Sequence, residues 1–241
     1  MIYIVSTGPG VIECMSGEAI KAIEASDVIV GYKKYVELIE PMLEGKDVFS
    51  NGMMKEVDRC RKALEFSQAG KKVAMVSGGD AGIYGIGGIM QEIVMEEGPE
   101  TEVIAIPGIT SAHAAASILG GPIVHDSVTI SLSDLLTDIE MIKKRLHAAG
   151  MGDFITCIYN PKSKGRPHYI EMARDILLEH KSETTPVGIV RHARRAEQSV
   201  VLTTLKDMCD HEINMSTMVI VGNSDTFIKS GKMITPRGYR R

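Results

Sequence analysis

The sequence has no tryptophan, few aromatic residues and no long hydrophobic run. Aromatic residues make up 5% of its 241 residues, which is too few for a surface that stacks nucleic-acid bases. No run approaches the roughly 18 apolar residues that a membrane-spanning helix requires. The formal net charge of −4 also argues against a nucleic-acid partner. We therefore expect a globular protein with no nucleic-acid partner and no membrane partner.

Cysteine and histidine are sparse and widely spaced. The four cysteines, Cys14, Cys60, Cys157 and Cys209, form no paired spacing, which predicts reduced thiols and a cytoplasmic protein. The chain enters its first strand without a basic region or a cleavage site, so we expect no signal peptide. The seven histidines lack a metal-ligand spacing such as H-x-x-x-H, so we expect no metal held by the protein.

Glycine, by contrast, is concentrated in the segment from Ser77 to Gly85. This segment holds four glycines and one carboxylate, Asp80, between an apolar run at 72–76 and a helix-like stretch at 86–97. Glycine is needed where the backbone contacts a ligand or adopts positive φ. A lone carboxylate can accept hydrogen bonds from a polar or cationic molecule. We interpret the segment as a small-molecule site at the end of a strand.

A second glycine loop, Gly8-Pro9-Gly10, follows the apolar residues 2–5. A dinucleotide fingerprint is disfavoured because the third glycine is missing and Pro9 has no N–H to offer a pyrophosphate. No acidic residue closes the second apolar run, at 28–30, where a ribose would be held. The loop suits close approach of a neutral or cationic ligand, and a tight turn without a ligand is the alternative.

Strand and helix patterns alternate through the first half of the chain. Such alternation predicts parallel strands joined by crossing helices. Three loops, at 8–10, 78–82 and 107–111, each follow a strand, so we expect them to gather at one sheet edge, where open α/β sheets bind ligands. Strands are predicted at 2–5, 28–30, 72–76 and 103–106, and helices at 16–26, 57–70, 86–97 and 113–119.

The pattern changes after Gly120-Gly121-Pro122, which resembles a domain hinge. We predict an α/β fold of two α/β lobes, 1–120 and 121–241, with a ligand cleft between them. In the second lobe, strands are predicted at 128–132, 154–158, 187–190, 200–202 and 218–221, and helices at 141–149 and 168–180.

Motifs spread along essentially the whole chain resemble those of the tetrapyrrole (corrin/porphyrin) methylases, which are S-adenosylmethionine-dependent enzymes. Within that family, the segments 31–35, 131–137 and 235–239 are similar to the branch that methylates carbon 17 of precorrin-3. The family usually has the motif Gly-Asp-Pro, and this chain has Ala81 in place of the proline. That difference points away from the uroporphyrinogen branch. The family motifs are Gly8-Pro9-Gly10, Gly79-Asp80, Pro107 to Ser111, Tyr159-Asn160-Pro161, Pro186 to Val190 and Val219 to Asn223.

The resemblance implies the tetrapyrrole methylase fold, with S-adenosyl-L-methionine bound between the lobes and a tetrapyrrole trough in the N-terminal lobe. It also implies a homodimer. A sulfonium cation favours a lining of carboxylates and carbonyls over a cationic one. The implied cofactor contacts are Pro9, Gly79, Asp80, Ile83, Thr110, Ser111, Asn160, Ala193 and Thr217.

The branch implies methylation of a small-molecule tetrapyrrole, with or without cobalt, together with ring contraction. Methyl transfer asks mainly for near-attack geometry, whereas contraction requires a proton-transfer group. Our candidates are Asp126, His125 and Asp134, and the alternative is that the two aspartates only cap helices or turns. Substrate carboxylates call for cations and hydroxyls, although charged runs are commonly solvated faces. The substrate-binding candidates are Tyr32, Lys33, Ser131, Ser133, Lys164 and Arg166, with Lys34 and Lys162 beside them.

Three other functions remain open from the sequence. The chain could methylate another position or another tetrapyrrole, such as precorrin-4 or uroporphyrinogen. It could act on a modified translation factor, as diphthine synthase does, which predicts a protein partner. It could also be a non-catalytic macrocycle-binding module, which predicts ligand binding without methyl turnover.

Overall fold

The computed structural model describes residues 1–239 and divides into two compact units, Met1–Ser111 and the residues from Ala112 onward. The first unit alternates strands and helices, as the sequence predicts. Its elements are β1 (Ile2–Ser6), α1 (Gly17–Glu24), β2 (Val28–Tyr32), α2 (Lys33–Glu37), β3 (Asp47–Asn51), α3 (Glu56–Gln68), β4 (Val73–Ser77), α4 (Gly87–Glu97) and β5 (Val103–Ile106).

The sheet of the first unit is parallel throughout and has the order β3-β2-β4-β1-β5. This confirms the predicted parallel strands. Helices cover both faces, which is why β4 is buried at every residue. Alternate residues face opposite ways, so Ile4 and Met75 pack in one hydrophobic cluster and Val5 and Val76 pack in the other.

Two elements of the first unit, α2 and β3, are absent from the sequence-based prediction. Strand β3 reads Asp-Val-Phe-Ser-Asn and is mostly exposed, since it lies at the edge of the sheet beside β2. An edge strand buries little surface and needs no apolar run, so hydrophobic periodicity does not reveal it. Helix α2 spans only five residues, too short for a recognisable apolar face.

The second unit is also built from helices and strands, and it contains a small sheet of β12, β13 and β6 that the sequence does not predict. Within residues 1–239, no helix is both long and apolar enough to cross a bilayer. The elements are α5 (Ser111–Leu119), β6 (Gly120–Gly121), β7 (Ser127–Ser131), α6 (Ile139–Met151), β8 (Ile155–Tyr159), α7 (Tyr169–Leu178), β9 (Pro186–Arg191), β10 (Ser199–Thr204), β11 (Thr217–Val221), β12 (Phe227–Lys229) and β13 (Lys232–Ile234).

The main sheet of the second unit is mixed and has the order β10-β9-β11-β8-β7. Strands β7 and β8 are parallel, whereas β11 runs antiparallel to both β8 and β9. The carboxyl ends of β7, β8 and β9 therefore share one sheet edge with the start of β11. Helices α6 and α7 pack on one face through Leu146 and Leu177, and α5 packs on the other through Ala115.

The division between the units falls one helix ahead of the predicted boundary at 120/121. The difference is α5, whose residues Ala112 and Leu119 pack in a cluster with Ile155 and Ile220 of the second sheet. The glycine pair that resembles a hinge forms β6, whose Gly120 pairs with Met233.

Candidate functional site

Three loops meet at the carboxyl edge of the first sheet, as predicted. Gly8 and Gly79 exchange backbone hydrogen bonds, with N···O distances of 3.0 Å and 2.7 Å. The loop after β5 contacts the same point, because a Cβ added at Gly108 would lie 2.6 Å from the Gly79 carbonyl oxygen. Strands β4, β1 and β5 are neighbours, so the loops that follow them form a single junction.

Glycine is required at this junction for two physical reasons. Gly8 and Gly79 have φ values of +65° and +68°, which side chains rarely tolerate. Gly108 has no such φ, but any side chain there would collide with Gly79 and with the Cβ of Ser6 at 2.6 Å. The spacing of glycines in the sequence thus reflects backbone segments that touch one another.

Asp80 ties this junction together. Its Oδ1 accepts a hydrogen bond from the Gly82 N–H at 2.8 Å and its Oδ2 accepts one from the Gly108 N–H at 3.0 Å. The hydroxyl of Ser6 accepts the Ala81 N–H at 2.9 Å, which fixes the start of the loop. A carboxylate has about four acceptor positions, so Asp80 keeps acceptor capacity for a ligand donor.

The other predicted cofactor contacts of the first unit lie on the same three loops. Ile83 is 41% exposed and donates its N–H to the Asp80 carbonyl at 3.1 Å. Thr110 is buried, Pro9 lies between Gly8 and Gly10, and Ser111 begins α5. The loops at 7–11, 78–85 and 107–111 contain no lysine, arginine or histidine. The polar groups of these loops are therefore a carboxylate, carbonyls and hydroxyls, and their oxygen atoms suit a sulfonium cation.

The predicted substrate residue Tyr32 ends β2 close to the glycine junction. Its ring packs edge-to-face against Tyr35, with the ring centroids 5.3 Å apart. Tyr35 in turn contacts the glycine loop, because a Cβ at Gly78 would lie 2.5 Å from the Tyr35 ring. Lys33 begins α2 and is exposed. Tyr35 is not among the site residues predicted from the sequence.

Arg59, on α3, is a second residue that the sequence analysis missed. It is only 3% exposed and donates to the Asn51 side chain at 2.6 Å, to the Gly52 carbonyl at 2.7 Å and to Glu56 at 3.0 Å. Its guanidinium carbon lies 5.9 Å from the centroid of the Tyr32 ring. Arg59 therefore fixes the end of β3 beside the tyrosine pair. Its signal in the sequence is an arginine three residues after a glutamate, which is common on helices.

In the second unit, Asn160 and Ser131 meet at the ends of the parallel pair β7 and β8. The Asn160 side-chain amide donates to the Ser131 hydroxyl at 2.9 Å, and Ser133 donates its N–H to the same hydroxyl at 3.2 Å. Asn160 has a φ of +51°, a conformation that asparagine adopts more readily than most residues. The predicted cofactor residue Asn160 thus contacts a predicted substrate residue.

Ala193 and Thr217 lie at that same edge of the second sheet. Ala193 follows β9, and Thr217 begins β11 opposite Arg191 in the strand register. Thr217 is buried, and its hydroxyl accepts the Asn214 N–H at 3.0 Å. Strand pairing therefore brings all three cofactor residues predicted in the second unit to one sheet edge.

Asp134 and Arg166 form a polar cluster with Tyr169, the first residue of α7. The Tyr169 hydroxyl donates to Asp134 Oδ2 at 2.7 Å, and this hydrogen bond raises the pKa of Tyr169 above its ordinary value. Arg166 lies 3.7 Å from Asp134 Oδ1 and donates to the Leu132 carbonyl at 3.3 Å. The residue that caps α6 is Asp138, not Asp134.

The cationic run near this cluster is divided between buried and exposed positions. Arg166 is 11% exposed at its side chain, whereas Lys164 is exposed in the turn where Arg166 donates its N–H to the Ser163 carbonyl at 3.1 Å. Arg166 thus supports the loop, while Lys164 presents its charge to solvent.

His125 and Asp126 lie in the turn before β7. The His125 Nδ1 accepts the Asp126 backbone N–H at 2.8 Å and also lies 3.5 Å from the Asp126 carboxylate. The shorter contact decides the arrangement, because a nitrogen that accepts a hydrogen bond does not donate at the same time. The two side chains are 45% and 83% exposed, and they are not hydrogen-bonded to the Asp134 cluster in the part of the chain that is described.

A surface cavity of about 460 Å³ lies at the amino ends of β1 and β5 in the first unit. It is on the opposite edge of the first sheet from the glycine junction and includes no predicted site residue, so we do not assign it a role. Its lining is Met1, Ser67, Gln68, Gly98, Pro99, Glu100, Thr101 and Glu102.

Comparison with known proteins yields consistent similarities along the whole chain. The sequence profile described as Tetrapyrrole (Corrin/Porphyrin) Methylases matches residues 1–209. The chain is 47% identical to a probable cobalt-factor III C(17)-methyltransferase of Salmonella typhimurium, over 99% of both chains. It is 48% identical to a cobalt-factor III methyltransferase of Priestia megaterium, and that match covers all of this chain but 45% of the longer relative.

Among solved structures, the crystal structure of the methyltransferase CobJ superimposes with a TM-score of 0.92. The sequences are 34% identical, and the match covers 98% of this chain and 99% of CobJ. The arrangement of strands and loops described above is therefore shared over nearly the full length of both proteins.

Proposed function

The chain belongs to the tetrapyrrole (corrin/porphyrin) methylase family, and from that premise we propose that it methylates carbon 17 of a cobalt-bearing precorrin-3-type tetrapyrrole in cobalamin biosynthesis. The methyl donor is S-adenosyl-L-methionine. The reaction includes contraction of the macrocycle to a precorrin-4-type product.

The observation that carries this proposal is the 47% identity to the Salmonella typhimurium protein over 99% of both chains. That relative and the one from Priestia megaterium are both named for cobalt-factor III, which favours a cobalt-bearing substrate over the cobalt-free precorrin-3B. Identity at this level over the full length supports the same reaction on the same class of macrocycle.

The glycine junction is the proposed S-adenosyl-L-methionine site of the first unit. When bound there, the donor supplies a methyl group activated by its sulfonium charge. Gly79 and Pro9 present backbone at close range, Thr110 and Ser111 offer hydroxyls, and Asp80 holds the loops in place while its carboxylate favours a cation. In the second unit we propose Asn160, Ala193 and Thr217 as cofactor-binding residues.

For the macrocycle, we propose that exposed cations bind its carboxylates and that partly buried polar groups hold the loop after β7, which carries Ser133 and Asp134. Lys33 and Lys164 are exposed and suit the first task. Arg166 suits the second, because its guanidinium contacts Leu132 and Asp134. We therefore assign Arg166 a positioning role, with Ser131 and Ser133 as the hydroxyls of that loop.

Ring contraction requires a proton-transfer group, and we propose Asp134 ahead of Asp126 and His125. Asp134 accepts from the Tyr169 hydroxyl at 2.7 Å, which orients the carboxylate. We propose that its Oδ1, which lies 3.7 Å from the Arg166 guanidinium, takes the substrate proton. Asp126 is 83% exposed at its side chain, and water would screen it from a bound macrocycle.

The test is an incubation with methyl-labelled S-adenosyl-L-methionine and, in parallel, cobalt-factor III, precorrin-3B, precorrin-4 and uroporphyrinogen. We expect label in a ring-contracted product from the cobalt-bearing substrate, with a heat-denatured sample as the control. Preferential labelling of another tetrapyrrole would show that the proposed substrate is wrong. Labelling of a modified translation factor supplied in a further parallel incubation, or macrocycle binding without methyl transfer, would show that the protein has a different function.

We also propose that the protein is a cytoplasmic homodimer. Support for the cytoplasmic location comes from its free cysteines, among which Cys60 and Cys157 are buried, and burial raises the pKa of each thiol to about 12. Unpaired, inert thiols suit a reducing compartment. Light scattering on the purified chain tests the dimer, and a monomer mass would contradict it.

A further inference from the structure

Two histidines and a glutamate meet at one end of the α6–α7 pair, outside the residues assigned above. His147 lies on α6, and Glu179 and His180 directly follow α7. We propose that these three side chains bind a divalent transition-metal ion, and the donor set points to Zn²⁺. Two imidazoles and one carboxylate would leave the remaining coordination positions to water.

The distances between the ligand atoms fit a single ion. His147 Nδ1 lies 3.0 Å from His180 Nε2 and 3.7 Å from a carboxylate oxygen of Glu179. Metal–nitrogen bonds of about 2.0–2.1 Å separate two ligand atoms by about 2.9 Å at right angles and about 3.3 Å in a tetrahedron. The two nitrogens therefore already have the required spacing, and all three ligand atoms lie within 4.8 Å of one another.

The His180 imidazole is held by packing against α6 as well as by its contact with His147. The His180 ring lies against the α6 backbone, where a Cβ at Gly150 would be 2.7 Å from His180 Cδ2. The two rings meet edge-to-face with their centroids 5.4 Å apart. The next residue, Lys181, has a side chain only 2% exposed and pairs with Asp153 at 3.0 Å. The segment that carries Glu179 and His180 is thus anchored at both ends.

Solvent can reach the site, as ion entry requires. The side chains of His147 and Glu179 are 38% and 61% exposed. Without a metal, one imidazole must donate its proton to the other across the 3.0 Å contact. When an ion binds, that proton moves to the other nitrogen of its own ring, which leaves both facing lone pairs for the ion. The nearby Glu179 carboxylate favours the added positive charge.

The sequence does not predict this cluster, because its two histidines are 33 residues apart. The expected absence of a metal site rested on the lack of short histidine spacings. Packing of α6 against α7 creates the juxtaposition, and no local motif encodes it.

The test is isothermal titration of the untagged full-length chain with Zn²⁺. We expect one ion per chain, and we expect His147→Ala and His180→Ala each to lower the affinity at least tenfold. Glu179→Gln should lower it less, because a carboxylate can be replaced by water. The matched control is His168→Ala, since His168 also contacts a carboxylate, Glu171, at 2.7 Å, but its pair contains a single imidazole.

Co²⁺ provides an independent measurement, because its visible absorption reports nitrogen and oxygen coordination in the wild type and its loss in the histidine variants. If circular dichroism shows that either alanine variant is unfolded, the glutamine variant at the same position takes its place. Failure to bind Zn²⁺, or equal affinity in wild type and both histidine variants, would show that the pair is only a hydrogen bond and overturn the proposal. Methyl transfer is measured separately and does not enter this result.

Discussion

The side chain of Asp80 accepts the backbone N–H of Gly108 at 3.0 Å, which joins the loop after β4 to the loop after β5. The same carboxylate accepts the N–H of Gly82. A residue predicted as a ligand contact is therefore also the connection that shapes the loops around the ligand. This dual role makes Asp80 the most informative position for mutagenesis.

Asp80→Ala is expected to weaken S-adenosyl-L-methionine binding while the chain remains folded. The variant leaves two backbone N–H groups without their charged acceptor, a loss of about 1.5–3 kcal/mol each if buried and less where water replaces it. We expect at least a tenfold weaker affinity by calorimetric titration. Asp80→Asn keeps one acceptor oxygen, so its affinity for S-adenosyl-L-methionine should lie between those of the wild type and the alanine variant. Unchanged affinity and turnover in the alanine variant would exclude this role.

Gly108→Ala is expected to disrupt the junction because the new Cβ meets backbone that cannot move cheaply. It would lie 2.6 Å from the Gly79 carbonyl oxygen, and such overpacking costs about 1–3 kcal/mol. Gly88→Ala in α4 is the matched control, since no atom lies within 4 Å of its Cβ, and it should be neutral or slightly stabilising. Chemical denaturation measures both, and equal stability of the two variants would contradict the prediction.

Tyr169→Phe is expected to loosen the loop that carries Asp134 without affecting the donor site. It removes the 2.7 Å hydrogen bond to Asp134, so we expect a severalfold higher KM for the macrocycle and unchanged affinity for S-adenosyl-L-methionine. Tyr239→Phe, at a residue that is 82% exposed, makes the same chemical change on the surface and should leave both constants unaltered. A lower affinity for the donor would indicate general disruption instead.

The same variant has a predictable pH dependence. The hydrogen bond to Asp134 raises the pKa of Tyr169 in the folded chain. Its contribution to stability is therefore present below about pH 10, the ordinary tyrosine value, and is lost as the pH rises through the folded-state pKa. Denaturation curves should show a shallower alkaline loss of stability in Tyr169→Phe than in wild type, and parallel losses would refute this.

The variant Asp153→Asn tests a pKa shift in the opposite direction, since the pKa of Asp153 is lowered in the folded chain. Burial alone would raise the pKa of Asp153, but hydrogen bonds from Ser224 and Lys181 outweigh it and lower the pKa. The contribution of Asp153 is therefore present above about pH 4 and is lost as the pH falls through the lowered pKa.

Removing the charge of Asp153 also leaves the buried Lys181 ammonium unpaired. We expect a loss of about 1–2 kcal/mol at neutral pH, below the 3–5 kcal/mol typical of fully buried pairs, because the Asp153 side chain is 43% exposed. The stability of the variant should then change less than that of wild type between pH 6 and pH 3. A full acid-induced loss in the variant would contradict the assignment.

Much of the first unit could be predicted because buried parallel strands are continuous apolar runs. The run at 72–76 becomes β4, and the three glycine loops meet where parallel strands must end together. The edge strand β3 escaped detection because it is mostly exposed and carries no apolar run. The small sheet of β12, β13 and β6 escaped for a related reason, since its strands are only two or three residues long.

Contacts between distant residues were harder to predict from the sequence. Asp80 could be recognised as a lone carboxylate among glycines, but its bond to Gly108 spans 28 residues. Tyr169 carried no signal of its own, because a tyrosine that begins a helix is unremarkable until Asp134 is found 2.7 Å away. Arg59 likewise reads as a solvated helix residue, although the structure buries it.

The amino-acid order by itself determined where backbone must bend or approach closely, since glycine adopts positive φ far more readily than other residues and apolar runs fill a sheet covered on both faces. It also determined the family, through motifs that keep their order along the chain. Tertiary structure alone decided which distant groups become neighbours, such as His147 and His180. Those contacts depend on how whole helices pack, and the packing energy is spread over many side chains and is not encoded in any short segment.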